Sequence, residues 1–256
     1  MVNIKNKIIF LGTGGGTGMV ATQKLTTAGT WINIEGHNLY LDPGPSCLYQ
    51  INKFGLSAAG LQTVLVTHKH LDHVGELEAL IDAMNFNGGR FKNQAIAVLK
   101  PKDVLINNYH KKLVNKLVNV KANSRYKVRN LNVRTTKLLL EKPFYFGKLE
   151  EYGFVLEKDR TKIAFIPETY WQKNLFKGIK ADILVLNNLR DKKEDQKMIV
   201  ATIKEINPKI VLMRHWILPV YEKGIKKFAG NIEKLTQIKT IAVQDGDIFD
   251  IKNLKI

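Results

Sequence analysis

Apolar runs of a few residues recur along the chain between polar stretches. Val64-Leu65-Val66 is too short for a helix and is bounded by Gly60 and a polar cluster, so it predicts a buried strand. Beyond the cluster, Val74, Leu77, Ile81 and Met84 recur at helical spacing and predict a helix with one buried face. Other runs predict strands over 7–11, 31–34, 39–41, 95–99, 153–157, 162–166, 181–186 and 209–213. Two pairs read as hairpins, one turning at Gly36-His37-Asn38 and one at 158–161. The first turn places His37 at the surface. Helices are predicted over 46–54 and 194–206, and Pro101 reads as the first turn of another, with His110 exposed in the stretch that follows. A weakly alternating stretch, 127–134, reads as one strand with a basic face. No linker, repeat or low-complexity segment interrupts the series, so 1–256 reads as a single domain.

The polar cluster behind the first run is Thr67-His68-Lys69-His70-Leu71-Asp72-His73. It lies on a strand-to-helix turn, where side chains gather without burying charge inside a sheet. Four candidate ligands fall within six residues, and half of the six histidines are among them. Neutral imidazole nitrogen and carboxylate oxygen are donors that zinc accepts, and a site with an open position activates water.

Composition narrows the setting. A hydrophobic content of 45% supports a sizeable core and argues against disorder. Cys47 is the only cysteine, which excludes disulfides within the chain and cysteine-rich zinc sites, and fits a reducing cytoplasm. It reads as a small buried residue. No signal peptide and no run of membrane-spanning length is evident. The net charge is +17, and 100–148 holds thirteen Lys/Arg against two acids. Such a segment either attracts polyanions or is a lysine-rich solvated face. Lys127 and Arg129 are its candidate substrate-binding residues, and interleaved aromatics such as Tyr126, Phe144, Tyr145 and Phe146 suit base stacking or the core.

His-x-His-x-Asp-His after a short apolar strand resembles the signature of the metallo-β-lactamase fold superfamily, here as His68, His70, Asp72 and His73. The resemblance implies an α/β protein, a four-layer α/β/β/α sandwich with one or two metal ions at the sheet edge. Further segments extend it over nearly the whole chain. Leu11-Gly12-Thr13-Gly14-Gly15-Gly16 resembles the opening of the ribonuclease Z and cyclic-phosphodiesterase branches. The spacing matches neither a dinucleotide-binding nor a Walker loop, so these glycines read as shaping the site. Asp42 matches an acidic motif whose carboxylate orients metal ligands from behind. Glu168 stands where relatives carry an aspartate that bridges two metals, and His215 matches their last metal histidine. Residues 241–247 resemble the closing strand and turn.

One element of the pattern is missing. Relatives supply a further histidine in the window 128–152, and this chain has none there; Thr135, Thr136 and Lys137 are nearest by position. The resemblance thus leaves His68 and His70 for one metal and Asp72, His73, Glu168 and His215 for the other. It implies a metal-dependent hydrolase, using zinc or manganese, in which hydroxide generated on the metal attacks phosphorus in RNA or a small phosphodiester. Asp72 is its candidate catalytic residue. A lactone or thioester hydrolase of the same fold is an alternative. A degenerate metal- or nucleic-acid-binding protein is another. The sequence leaves the oligomeric state open, a homodimer included.

Overall fold

The computed structural model describes residues 4–87, 90–91, 96–139, 149–188 and 192–254. Phe144, Tyr145 and Phe146, and with them part of the basic segment, lie outside these. The chain forms two compact units, the first of 1–13, 25–120 and 244–256 and the second of 14–24 and 121–243.

The first unit opens with β1 (Lys7–Phe10), β2 (Thr30–Ile34) and β3 (His37–Leu41), paired antiparallel in that order. Parallel to β3 run β4 (Thr63–Leu65), β7 (Ala97–Lys100) and β8 (Lys116–Asn119); β5 (Phe86–Asn87) and β6 (Arg90–Phe91) form a separate two-stranded ribbon. Between β1 and β2 a short helix, α1 (Gly16–Thr22), belongs to the second unit. The connections between the parallel strands carry α2 (Cys47–Lys53), α3 (Leu71–Val74), α4 (Leu77–Asn85) and α5 (Asn108–Lys112). Trp31 and its cross-strand partner Tyr40 meet edge to face and join Ile51, Val64, Val66, Leu80, Ile81 and Met84 in one apolar core. The helix expected to run through Val74, Leu77, Ile81 and Met84 is broken after Val74, which ends α3; Leu77, Ile81 and Met84 form the buried face of α4.

In the second unit, β9 (Arg125–Val128), β10 (Leu131–Lys137), β11 (Tyr152–Lys158) and β12 (Thr161–Ile166) form an antiparallel meander. β13 (Ile183–Asn187), β14 (Ile210–Arg214) and β15 (Thr240–Ala242) continue it in parallel from β12. Helix α6 (Lys193–Ile206) crosses from β13 to β14, and α7 (Leu218–Lys223) with α8 (Ile225–Thr236) crosses from β14 to β15. Ile199, Ile203 and Ile206 are the buried stripe of α6; Phe228 of α8 packs against Trp216. β16 (Ile248–Asp250) closes the first unit's sheet beside β1.

Four further local expectations are corrected. The first hairpin turns at Glu35-Gly36, both with positive φ (47° and 79°), the pairing a two-residue turn demands. His37 is therefore the first residue of β3, buried, with Nε2 2.9 Å from Thr63 Oγ1. Residues 127–134 are not one strand but part of the β9–β10 hairpin, reversed at Arg129 (φ 54°). Pro101 opens no helix: α5 begins at Asn108, where the Asn107 side chain accepts the His110 N–H and caps it. His110 is not exposed on that helix but half-buried against Asp82, at 3.2 Å.

Candidate functional site

Parallel strands carry the candidate residues at their carboxyl ends in both units, the place where α/β sheets collect polar side chains. In the first unit β3 delivers Asp42 and β4 delivers the histidine cluster. Asp42 is buried, and its carboxylate accepts from the Thr67 N–H (2.8 Å), the Thr67 hydroxyl (3.0 Å) and His73 Nδ1 (2.9 Å). Those donors satisfy a charge that burial alone would make costly. His73 Nδ1–H pointing at Asp42 leaves Nε2 as the lone-pair nitrogen, and Nε2 lies 3.4 Å from Asp72 Oδ2. Burial pushes the His73 pKa down. The carboxylates of Asp72 and Asp42 push it up by more, and the net direction is well above the usual imidazole range.

Thr67 ties the second histidine into the same network. Its hydroxyl lies 3.1 Å from His68 Nδ1, so it donates to Asp42 and accepts from that nitrogen, which turns the His68 Nε2 lone pair away. His68 Nε2 faces His70 Nδ1 at 2.9 Å. His70 caps α3 with a backbone carbonyl, which places Asp72 and His73 in the helix's only turn. The turn after Asp42 comes so close that a Cβ on Gly44 would stand 2.1 Å from the Asp72 carbonyl oxygen. Three imidazoles and a carboxylate, with His68 and His73 oriented from behind by Thr67 and Asp42, are a fitting donor set for zinc or manganese.

In the second unit β12 delivers Glu168 and β14 delivers His215. Glu168 Oε1 meets His215 Nε2 at 2.5 Å, and Asn187 Nδ2 donates to Glu168 Oε2 at 3.4 Å. His215 has φ 61°, a backbone region that a histidine enters only where its surroundings hold it. Gly15 supplies part of that hold. Its backbone lies against the imidazole, so a Cβ there would come within 2.3 Å of the ring. The glycine-rich stretch accordingly packs against His215.

Where the further histidine was expected, Thr135 is occupied by the Lys121 carbonyl and the Ser124 N–H, Lys137 is exposed, and the buried Thr136 hydroxyl faces Gly153. No histidine stands there among the described residues. Lys127 and Arg129 lie on the β9–β10 hairpin, both exposed. Sequence reasoning missed Thr67, Gly44 and Asn187. Thr67 stood inside the motif itself, yet a threonine beside three histidines carries no metal chemistry to draw notice. Glu76 was missed too; its carboxylate accepts the Ser46 and Leu48 N–H groups and fixes α2 behind the Asp42 turn.

Comparison with known proteins follows these elements. An uncharacterized protein of Methanocaldococcus jannaschii is 26% identical over 97% of this chain and 96% of its own length. Ribonuclease Z of Pyrobaculum neutrophilum is 35% identical over 99 residues, which are 38% of this chain and 32% of that enzyme. Among solved structures, the metallo-β-lactamase fold protein YhfI of Bacillus subtilis superposes with a TM-score of 0.74 at 14% identity, covering 95% of this chain and 98% of that one. The fold is thus the α/β metallo-β-lactamase fold that the histidine motif implied. The model of the β-lactamase superfamily domain matches residues 37–216, from the start of β3 to just past His215, and the chain belongs to that superfamily.

Proposed function

We propose that this protein is a metal-dependent phosphodiesterase. The observation that carries the reading is the Asp42–Thr67 network, which sets His68 and His73 in the tautomers that present Nε2 to a cation. Zinc is the first candidate and manganese the second. The ligands are His68, His70, Asp72, His73, Glu168 and His215, with Asp42 behind them. When bound, the metal supplies Lewis acidity and lowers the pKa of water.

The chain's own residues do the rest. Asp42 accepts the His73 Nδ1 proton and so aims the Nε2 lone pair away from itself. Thr67 does the same for His68. Asp72 orients the attacking water as well as serving as ligand. Glu168 is one methylene longer than the aspartate of relatives, and the expected further histidine is lacking, so these residues would hold one metal with more donors than a second. Phosphodiester rather than lactone is favoured by the charge: 100–148 alone carries thirteen cations against two acids. The relationship to ribonuclease Z points the same way.

The test is hydrolysis of bis-p-nitrophenyl phosphate and of a lactone panel by metal-free protein before and after zinc or manganese is restored. The reading expects metal-dependent phosphodiester hydrolysis exceeding any lactonase rate. A higher lactonase rate transfers the assignment to a carboxylic ester hydrolase. Metal uptake with no hydrolysis of either leaves a binding protein.

A further inference from the structure

The second unit carries two recesses away from the candidate metal ligands. One, of about 380 Å³, lies over the β9–β10 hairpin and is lined by Arg125, Lys127 and Arg134, with Tyr126 and Glu157. The other, of about 510 Å³, lies at the amino ends of β13 and β14 and is lined by four cations, Arg160, Lys162, Lys180 and Lys209, with Asp182 and Glu205. The two are joined twice. Arg134 of the first donates to the Gly178 carbonyl of the second at 3.2 Å, and Lys162 of the second approaches Glu157 of the first at 3.7 Å.

Two of the trough's carboxylates pair with its own cations, Glu157 with Lys162 and Asp182 with Lys209, and the third, Glu205, is held by the framework. Glu205 accepts from Trp171 Nε1 (2.6 Å) and the Phe176 N–H (3.1 Å). Asp182 accepts from the Lys162 N–H (3.0 Å) and pairs with Lys209 (2.9 Å). Seven cations against three carboxylates leave the lining with a net four positive charges. Its cations line two neighbouring hollows rather than one, whereas a site for a single phosphate gathers them in one place. Such spacing matches a chain of repeated negative charges. A bilayer surface is flat and does not enter hollows.

Position adds a length requirement. Glu168 and His215 stand at the carboxyl ends of β12 and β14, whereas Asp182 and Lys209 stand at the opposite ends of β13 and β14. The five residues of β13 alone separate the two ends by about 17 Å. A small phosphodiester cannot touch both; several nucleotides of a strand can.

We infer that this trough is an exosite for the backbone of a single-stranded nucleic acid, which deepens the phosphodiesterase reading and rests on it for the identity of the polymer as substrate. It binds by phosphate charge, so it discriminates polymer from monomer and not one base from another.

The test uses full-length protein with metal restored, a labelled single-stranded RNA of about 20 nucleotides and salt from about 50 to about 200 mM. Wild type is compared with Arg160→Glu/Lys180→Glu, both exposed positions, and with Arg125→Glu. The double variant should bind RNA at least tenfold more weakly. Its plot of log affinity against log salt should be shallower by about 1.4, since each lost phosphate contact on a single strand removes about 0.7. Its hydrolysis of bis-p-nitrophenyl phosphate should match wild type within about twofold, which separates loss of the exosite from loss of the catalytic centre. RNA affinity within about twofold of wild type in both variants overturns the exosite, as does binding of anionic phosphatidylserine vesicles in preference to RNA. A wild type inert on the small diester but bound to RNA through these residues overturns the hydrolase reading and upholds the exosite.

Discussion

Asp42 and Thr67 show how few atoms orient the histidine cluster. One buried carboxylate and one hydroxyl set the tautomers of two imidazoles, and neither residue need touch a metal. Thr67→Val keeps the shape and removes the hydroxyl, so Asp42 loses a donor and His68 loses its anchor. Supporting partners of this kind typically change metal affinity by about 10- to 100-fold. Zinc titration of metal-free protein should show a loss of that size, and unchanged affinity would mean that the threonine is only a packing residue. Removing a ligand should cost more. His73→Ala should weaken the tighter site more than His68→Ala, because His73 shares its site with three other proposed ligands and His68 with only one other histidine; the reverse order reassigns the ligands. Cys47 supplies a contrast. Burial pushes its thiol pKa far up, opposed by the Tyr40 hydrogen bond and reinforced by the Glu76 charge. The folded protein should leave Ellman's reagent unreacted until it is denatured. Its folded pKa is raised, so the stability it contributes is full below the unfolded thiol value of about 8.5 and declines as pH rises above it. The histidines were legible because metal chemistry restricts residue type and spacing. Thr67 and Asn187 were not, because hydrogen-bonding partners are set by where strands end in space.

At the scale of elements, the candidate residues depend on close approaches that only glycine permits. A Cβ on Gly44 would meet the carbonyl oxygens of Asp72 and Thr27 at 2.1 and 2.3 Å, both backbone atoms that cannot swing aside. Gly44→Ala should therefore destabilise the protein by about 1–3 kcal/mol and displace α3 with its ligands. Gly15→Ala should be milder on stability, since the obstructing atoms belong to the His215 side chain. It should nevertheless lower activity by moving that imidazole; circular-dichroism melting and diester hydrolysis of the two variants separate the cases. Strands with continuous apolar runs, such as β4, β13 and β14, were legible because burial on both faces leaves no ambiguity of period. Turns were less so. His37 was misplaced because Glu35, not Asn38, takes the positive φ beside Gly36. The β9–β10 hairpin was hidden because Arg129, a residue with no turn preference, occupies the reversing position. Helix α1 passed unseen because Gly16 and Gly18, poor helix formers, lie within it.

For the whole molecule, the fold class was legible because one motif of specific type and spacing belongs to one superfamily, and the matched region runs from residue 37 to residue 216. Charge suggested an anionic partner and gave no docking place for it, since lysines count alike in a sequence wherever they point. Among the described residues, the cations of 100–148 supply Arg125, Lys127 and Arg134 to the trough; the other four come from Arg160 onward. Metal stoichiometry is the property in which ligand number has its plainest consequence. With the further histidine absent, the proposed division gives His68 and His70 as two protein ligands, short of the three that zinc sites usually have, against four for the other metal. Calorimetric titration of metal-free protein should therefore show one tight equivalent and a second that is weak or absent; two equally tight equivalents would falsify the unequal division. Ligand binding to the native state alone stabilises it by about 2.7 kcal/mol at 100 times the dissociation constant. For a chain of this size each kcal/mol moves the melting midpoint by about 2–4 °C. Chelation should thus lower the midpoint by about 5–10 °C, and one equivalent of zinc should restore nearly all of it. A His73→Ala/His215→Ala protein should melt near the chelated midpoint and respond little to zinc. A full zinc response in that variant would place the tight site on other residues.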